Sequence, residues 1–300
     1  MKRIAYILLM SPLFLSCGSK NSSSGTSIKD SIEESPSNTE ISEPISEESE
    51  SSTSEAEKLL PPQYGVDIPM IAHKGYHVIE VENTYDAFVE AGKRSFYGIE
   101  TDIYLTKDSY WICNHDTVVK GMSKSIMDST YEEIMQVDLS MNPDKVVHVC
   151  TFQEYLSVCK KYKKHPYIEL KMTPSKQILD NLLYYIDQQE MMDECVFISF
   201  GQMVLNMVRE LCVTYDYHPG IELLTEGKNY TNAYNDDMSV SSYYLDLTKA
   251  IVDDFHDKGL TVSAWTVNDV NSINRLIEMG VDYVTSDIID CDSKYVNPLS

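Results

Sequence analysis

The segment LTVSAWTVNDVNSINRLIEMG, residues 260–280, contains the repeating unit that decides the fold. Residues 260–267 are mostly apolar, which predicts a β-strand. From Val270 to Met279 the apolar residues recur at helical spacing, and Gly280 stands where a helix would end. The segment is therefore predicted to be a strand followed by a helix.

The same alternation of short apolar runs and amphipathic stretches extends on both sides of this segment. Eight runs are predicted to be core strands: residues 68–72, 97–105, 167–171, 196–200, 220–224, 243–247, 260–267 and 283–285. Eight strand–helix units are the number that closes a (β/α)₈ barrel. An open doubly wound sheet is the alternative, although the sequence has no glycine-rich nucleotide-binding loop.

One region breaks this pattern. Trp111-Ile112-Cys113 is predicted to be an extra short strand that leads to His115, and residues 116–150 are too many for an ordinary strand–helix loop. We interpret residues 116–150 as a small insertion that follows the second strand and caps the mouth of the barrel.

The first residues resemble an export signal. Lys2 and Arg3 precede an apolar run over residues 4–15, which is too short to span a membrane permanently. Cys17 follows this run as in the lipobox of bacterial lipoproteins, where the cysteine is diacylated, although Phe14 stands where that pattern prefers Leu. We therefore expect a signal peptide over residues 1–17 and a lipid anchor on Cys17, with ordinary secretion as the alternative.

Residues 18–62 are rich in Ser, Glu and Thr and are predicted to be a disordered tether. Residues 63–300 are then the barrel domain, a length typical of this fold. The expected location is outside the cytoplasm, anchored by lipid to a bacterial membrane or envelope.

The formal net charge of −23 argues against nucleic acid, or an anionic membrane face, as a partner of the bulk surface. An anionic substrate would need a locally positive site. None of the seven cysteines has zinc-ligand spacing.

Charged side chains follow several of the predicted strands. Because residues two apart on a strand point to the same face, Glu100 and Asp102 should act together, as should Glu169 and Lys171. Grouped carboxylates suit a hard cation such as Mg²⁺ or Ca²⁺, and nearby histidines suit acid–base catalysis. The combination predicts metal-assisted cleavage of a phosphate ester.

The ordered set of these motifs resembles the glycerophosphodiester phosphodiesterases. The elements that carry the resemblance are His73-Lys74-Gly75, Glu82-Asn83-Thr84, Glu100-Thr101-Asp102, Thr106-Lys107-Asp108, His115-Asp116, Glu169-Leu170-Lys171 and Trp265-Thr266-Val267-Asn268. The resemblance spans residues 68–288. It departs from the family at Lys74, where an arginine is usual, and lysine lacks the two-pronged grip of a guanidinium on phosphate.

The resemblance implies a barrel that cleaves small glycerophosphodiesters to glycerol 3-phosphate and an alcohol. It further implies that Glu100, Asp102 and Glu169 hold Ca²⁺ or Mg²⁺, and that His73 and His115 are general base and general acid. The family's proposed route uses the substrate's neighbouring hydroxyl as nucleophile and passes through a cyclic phosphate. Lys74, Lys171 and Trp265 are the expected phosphate and substrate contacts.

Two other functions remain open at this point. A lyase of the phospholipase D type, acting on lysolipids or sphingolipids, would use the same fold and metal site. A lipoprotein that binds phosphate esters without turnover would be consistent with Lys74, although both histidines are retained.

Overall fold

The computed structural model describes residues 65–140 and 142–295. The expected signal peptide, Cys17 and the tether lie outside these residues. The strands are β1 (Met70–Ala72), β2 (Gly98–Leu105), β3 (Trp111–Cys113), β4 (His165–Leu170), β5 (Val196–Ser199), β6 (Gly220–Thr225), β7 (Ser239–Tyr243), β8 (Val262–Trp265) and β9 (Tyr283–Ser286). The helices are α1 (Tyr85–Lys93), α2 (Tyr131–Met135), α3 (Phe152–Tyr162), α4 (Lys176–Gln188), α5 (Gln202–Tyr215), α6 (Tyr230–Asn235), α7 (Lys249–His256) and α8 (Val270–Met279).

Eight parallel strands form a closed barrel, as expected from the sequence. Their order is β1-β9-β8-β7-β6-β5-β4-β2, and β1 pairs with β2 to close the ring. β3 lies outside the ring and pairs with β2 in antiparallel orientation. The carboxyl ends of the eight strands consequently meet at one rim, which is the mouth of the barrel.

Side-chain caps start several of the outer helices. Thr84, Ser175 and Asp269 each accept a hydrogen bond from a backbone N–H in the first turn of the following helix. Thr151 and Glu154 form a reciprocal capping box at the start of α3. These caps fix the residue at which each helix begins. They therefore also fix where the loops that carry the site end.

The predicted strand at residues 243–247 is wrong. The strand is β7, Ser239–Tyr243, and residues 244–246 form a 3₁₀ turn. Ser241 and Ser242 are buried in β7, and the Ser241 carbonyl accepts a hydrogen bond from the Trp265 indole at 3.0 Å. β7 therefore carries small hydroxyl side chains and lacks a continuous apolar run. The apolar run begins with the tyrosines at its carboxyl end, and for this reason the strand was predicted too late in the sequence.

Residues 116–150 include a 3₁₀ turn and α2, and their apolar side chains form a small cluster with Tyr104 of β2 and Ile112 of β3. Val119, Ile126 and Ile134 are buried in it, and Met172, just after β4, packs against it. On the other side, Lys145 pairs with Glu80 at 2.6 Å. The insertion therefore contacts both the loop after β1 and the residues after β4, beside the mouth.

Candidate active site

The turn after β1 brings backbone and side-chain groups to the rim. Lys74 and Gly75 both have positive φ, at 55° and 76°. A Cβ on Gly75 would lie 2.7 Å from the backbone carbon of Ala87, so only glycine fits there. This geometry aims the Lys74 N–H at Glu100, whose Oε2 accepts it at 2.8 Å.

Asp102 is held by the residue that precedes the cap of α1. Asn83 Nδ2 donates to Asp102 Oδ2 at 2.9 Å, and Asn83 Oδ1 accepts from the Thr101 hydroxyl at 2.7 Å. Asn83 also has a positive φ of 56°, which asparagine tolerates better than most residues. The loop after β1 thus orients both acids of β2.

Glu169 at the end of β4 completes the acidic group. Glu100, Asp102 and Glu169 each offer an oxygen within 4.8 Å of the others. Lys171 Nζ lies 3.0 Å from Glu169 Oε1 and 3.3 Å from Asp102 Oδ1. Among the described residues, Lys171 is therefore the one ammonium group in direct contact with this set of three buried carboxylates.

This arrangement shifts the acids in opposite directions. Burial raises the pKa of Glu100 well above its usual value, and the charges of Asp102 and Glu169 raise it further. Burial and the Asp102 charge likewise raise the pKa of Glu169 to about 7. Burial opposes ionisation of Asp102 too, but Lys171 and the Asn83 hydrogen bond outweigh it and lower its pKa.

His73 is oriented by an acid that the sequence reasoning missed. Its Nδ1 lies 2.7 Å from Oδ1 of Asp287, the residue that follows β9. Asn268 Nδ2 donates to the other oxygen of Asp287 at 2.6 Å. Burial alone would raise the pKa of Asp287, but the bonds from His73 and Asn268 outweigh it and lower that pKa. Its position directly after the last strand was the available signal.

His115 lies beside the acids but is much more open. Its side chain is 45% exposed and its Nδ1 lies 3.0 Å from Asp116 Oδ1. The neighbouring residue Asn114 donates its backbone N–H to the Asp102 carbonyl at 3.0 Å, which ties this loop to the end of β2.

The expected substrate contacts are divided between two sides of the mouth. Lys171 lies among the acids. Lys74 Nζ lies 3.3 Å from Glu82 and is close enough for its charge to lower the pKa values of Glu100 and Asp102. Trp265 ends β8, across the barrel, and its ring meets Phe200 edge-on with centroids 5.7 Å apart. A cavity of about 170 Å³ beside Glu169 and Lys171 is bounded by Phe200.

The acidic group fits a hard divalent cation. Its donors are carboxylate oxygens from Glu100, Asp102 and Glu169, the type that Mg²⁺ and Ca²⁺ prefer. A bound cation would relieve the repulsion among these three carboxylates.

Within the described residues, no helix is long and apolar enough to cross a bilayer.

The chain is similar in sequence and in structure to several known proteins. A glycerophosphodiester phosphodiesterase of Caldanaerobacter subterraneus subsp. tengcongensis is 25% identical over 230 residues, covering 73% of this chain and 93% of the relative. A phosphodiesterase of Oleispira antarctica, solved in complex with the product sn-glycerol-3-phosphate, has a TM-score of 0.64 at 20% identity. The match covers 80% of this chain and 97% of the Oleispira chain. A glycerophosphodiester phosphodiesterase of Parabacteroides distasonis has the same TM-score at 23% identity, with 77% and 96% covered. Residues 72–291 match the model of the glycerophosphoryl diester phosphodiesterase family, so the chain belongs to that family and is a phosphoric diester hydrolase.

Proposed function

We propose that this phosphodiesterase releases glycerol 3-phosphate at the barrel mouth by histidine acid–base catalysis that depends on a divalent cation. The observation that carries the proposal is the convergence of Glu100, Asp102 and Glu169 within 4.8 Å, at the rim where His73 is paired with Asp287. The relatives named above, one of them solved with glycerol 3-phosphate, support the same substrate class.

Glu100, Asp102 and Glu169 would hold the cation. When bound, a Mg²⁺ or Ca²⁺ ion supplies positive charge to the phosphoryl oxygens. The surrounding residues do the rest of the binding: Lys171 and Lys74 add charge that a strongly acidic chain otherwise lacks, and Trp265 forms a wall of the substrate site.

His73 is the proposed general base. With Nδ1–H donated to the ionised Asp287, its Nε2 keeps the lone pair and takes a proton from the attacking glycerol hydroxyl. That hydroxyl oxygen forms a bond to phosphorus while the bond to the leaving alcohol breaks.

His115 is the proposed general acid and gives its proton to the departing alkoxide. Its exposed position at the rim suits a group that must exchange protons with water between turnovers. The cyclic phosphate made in this step is then opened by water, with the two histidines in reversed roles.

A direct assay tests the proposal. The full-length protein is incubated with glycerophosphocholine, and free glycerol 3-phosphate is measured with and without excess chelator, followed by addition of Mg²⁺ or Ca²⁺. We expect turnover to disappear with chelator and return with the cation. Undiminished turnover in chelator would refute the metal requirement. Lack of glycerol 3-phosphate under every condition, with glycerophosphoglycerol and glycerophosphoinositol as well as glycerophosphocholine, would refute the activity.

We also propose that the protein is exported and anchored through lipidated Cys17. The basic Lys2 and Arg3, the apolar residues 4–15 and the cysteine after them support this. Labelling with a radioactive fatty acid in a bacterial host should mark the wild type and leave Cys17→Ser unlabelled. Equal labelling of both proteins, or of neither, would refute the anchor.

A further inference from the structure

A second cavity, of about 290 Å³, lies between the carboxyl ends of β5 and β6. It shares Phe200 with the cavity beside Glu169 and Lys171. Phe200 is 53% exposed, so its ring presents an open face between the two cavities. A substrate whose phosphate lies near the carboxylates can therefore extend past Phe200 into this second space.

The lining of this cavity is chemically mixed. Beyond the apolar Phe200, Leu223 and Leu224 it presents amide, hydroxyl and carboxylate side chains: Gln202, Thr225, Glu226, Asn229 and Asn232. Amides both donate and accept hydrogen bonds, and carboxylates accept them, so the set matches a ligand that carries several hydroxyl groups. An open aromatic face packs well against the C–H face of such a ligand.

Thr225 gives independent evidence of a ligand. It is the last residue of β6, is only 1% exposed and lines the cavity. Its Oγ1 has no hydrogen-bond partner among the described residues. The Oγ1 atom is closed to solvent in this conformation. A buried hydroxyl left unpaired is unfavourable, and rotation about χ1 toward the cavity would let a hydroxyl of a bound molecule satisfy it.

A cationic alcohol such as choline fits this lining less well. Quaternary ammonium groups are bound by several aromatic faces, whereas Phe200 is the single aromatic residue among the described residues that line the cavity. A trimethylammonium group also has no donor or acceptor, so Thr225 would stay unpaired.

We propose that this cavity binds the leaving alcohol of the substrate and that this alcohol is a polyol, such as glycerol, inositol or a sugar. The inference rests on the proposed function, because it assigns one arm of the glycerophosphodiester. Thr225 and Asn232 are then residues that determine which diester is preferred.

The test compares glycerophosphoinositol and glycerophosphoglycerol with glycerophosphocholine, using kcat/KM for release of glycerol 3-phosphate. The wild type should prefer the polyol diesters. In Thr225→Val, the ratio of polyol to choline kcat/KM should fall about 5- to 10-fold, the effect of losing one neutral hydrogen bond. Because the Thr225 hydroxyl has no hydrogen-bond partner within the described part of the chain, this variant should melt at the same temperature as the wild type or higher.

Asn232→Ala should lower the same ratio, and it remains informative if Thr225→Val fails to fold. Asn235→Ala is the matched control, because Asn235 lies on the same helix, α6, but does not line the cavity. It should keep the wild-type ratio.

Three outcomes would overturn the inference. A wild-type preference for the choline diester, or an equal loss on all substrates in Thr225→Val and Asn232→Ala, would refute it while leaving the proposed function intact; equal loss would place the common glycerol arm in this cavity. No turnover of any diester would refute both.

Discussion

Two buried glutamates in this barrel differ in what surrounds them. Glu100 at the mouth and Glu222 on β6 are each 3% exposed. Glu100 accepts a backbone N–H and lies against Asp102 and Glu169. Glu222 accepts a hydrogen bond from Ser263 at 3.0 Å, and its Oε2 has no partner among the described residues.

Burial raises the pKa of both groups, and for Glu222 the value is about 8. Glu222 is thus mostly a neutral acid near pH 7, inside the barrel beside Tyr167 and Tyr283. Glu100 differs because two other carboxylates crowd it, and a cation would lower the energy of all three together. Convergence of acids, rather than burial of one acid, marks the site.

Glu100→Gln tests the mouth half of this comparison and should have the largest effect. Loss of one charged ligand should weaken cation binding and reduce turnover by about 10⁴-fold or more, because a bound metal contributes several kcal/mol of transition-state stabilisation. Binding of Mg²⁺ and Ca²⁺ by calorimetry, alongside the glycerol 3-phosphate assay, measures both effects. The exposed Glu132→Gln is a matched control. Equal activity of the two variants would show that Glu100 does not belong to the catalytic site.

The histidines should follow in size of effect. Replacing His73 or His115 with Ala should cost about 10²- to 10⁴-fold in kcat, the usual range for a positioned acid or base. Because both act in one proton-transfer circuit, the double variant should be little worse than either single variant. Losses that multiply in the double variant would contradict paired roles.

Asp287→Asn should have a smaller effect than loss of His73. The amide can no longer accept from His73 Nδ1 with a full negative charge, and loss of a charged hydrogen bond corresponds to about 10- to 100-fold in kcat. A fall in kcat with an unchanged KM separates orientation of His73 from a structural role, and steady-state kinetics on a glycerophosphodiester measures both constants. A lower melting temperature with an unchanged kcat would mean that Asp287 only supports the fold.

The barrel could be predicted from the sequence because the strand and helix periodicities repeat along the chain and each depends only on neighbouring residues. The unit from residue 260 to 280 is an example, since α8 runs from Val270 to Met279 as predicted. β7 was misplaced because its buried residues include Ser241 and Ser242, whose fit depends on Trp265 from the next strand.

The convergence of Glu100 and Asp102 could also be predicted from the sequence, since two-residue spacing on a strand fixes a shared face. Asp287 and Asn268 were not assigned roles, because their contact with His73 depends on closure of β9 against β1. Thr225 is a clearer case. It is an ordinary strand residue in sequence, and it is notable only because no hydrogen-bond partner for its hydroxyl lies within residues 65–140 and 142–295.

Glu222→Gln tests the other half of the comparison and should leave turnover unchanged while altering how stability depends on pH. The pKa of Glu222 in the folded state, about 8, lies above its ordinary value of 4.5, so the native protein keeps a proton that the unfolded chain loses between these values. The free energy of unfolding should therefore fall as pH rises through that window, by up to about 1.4 kcal/mol per pH unit from this group. Glutamine cannot ionise, so the free energy of unfolding of the variant should lack this fall with pH. The stability of the variant relative to the wild type should therefore be greatest at about pH 8 and above. Urea unfolding of both proteins across this range measures the difference, with Glu132→Gln as the exposed control. If Glu222→Gln and the wild type lose stability in parallel, Glu222 is charged in the native barrel, and the contrast with Glu100 fails.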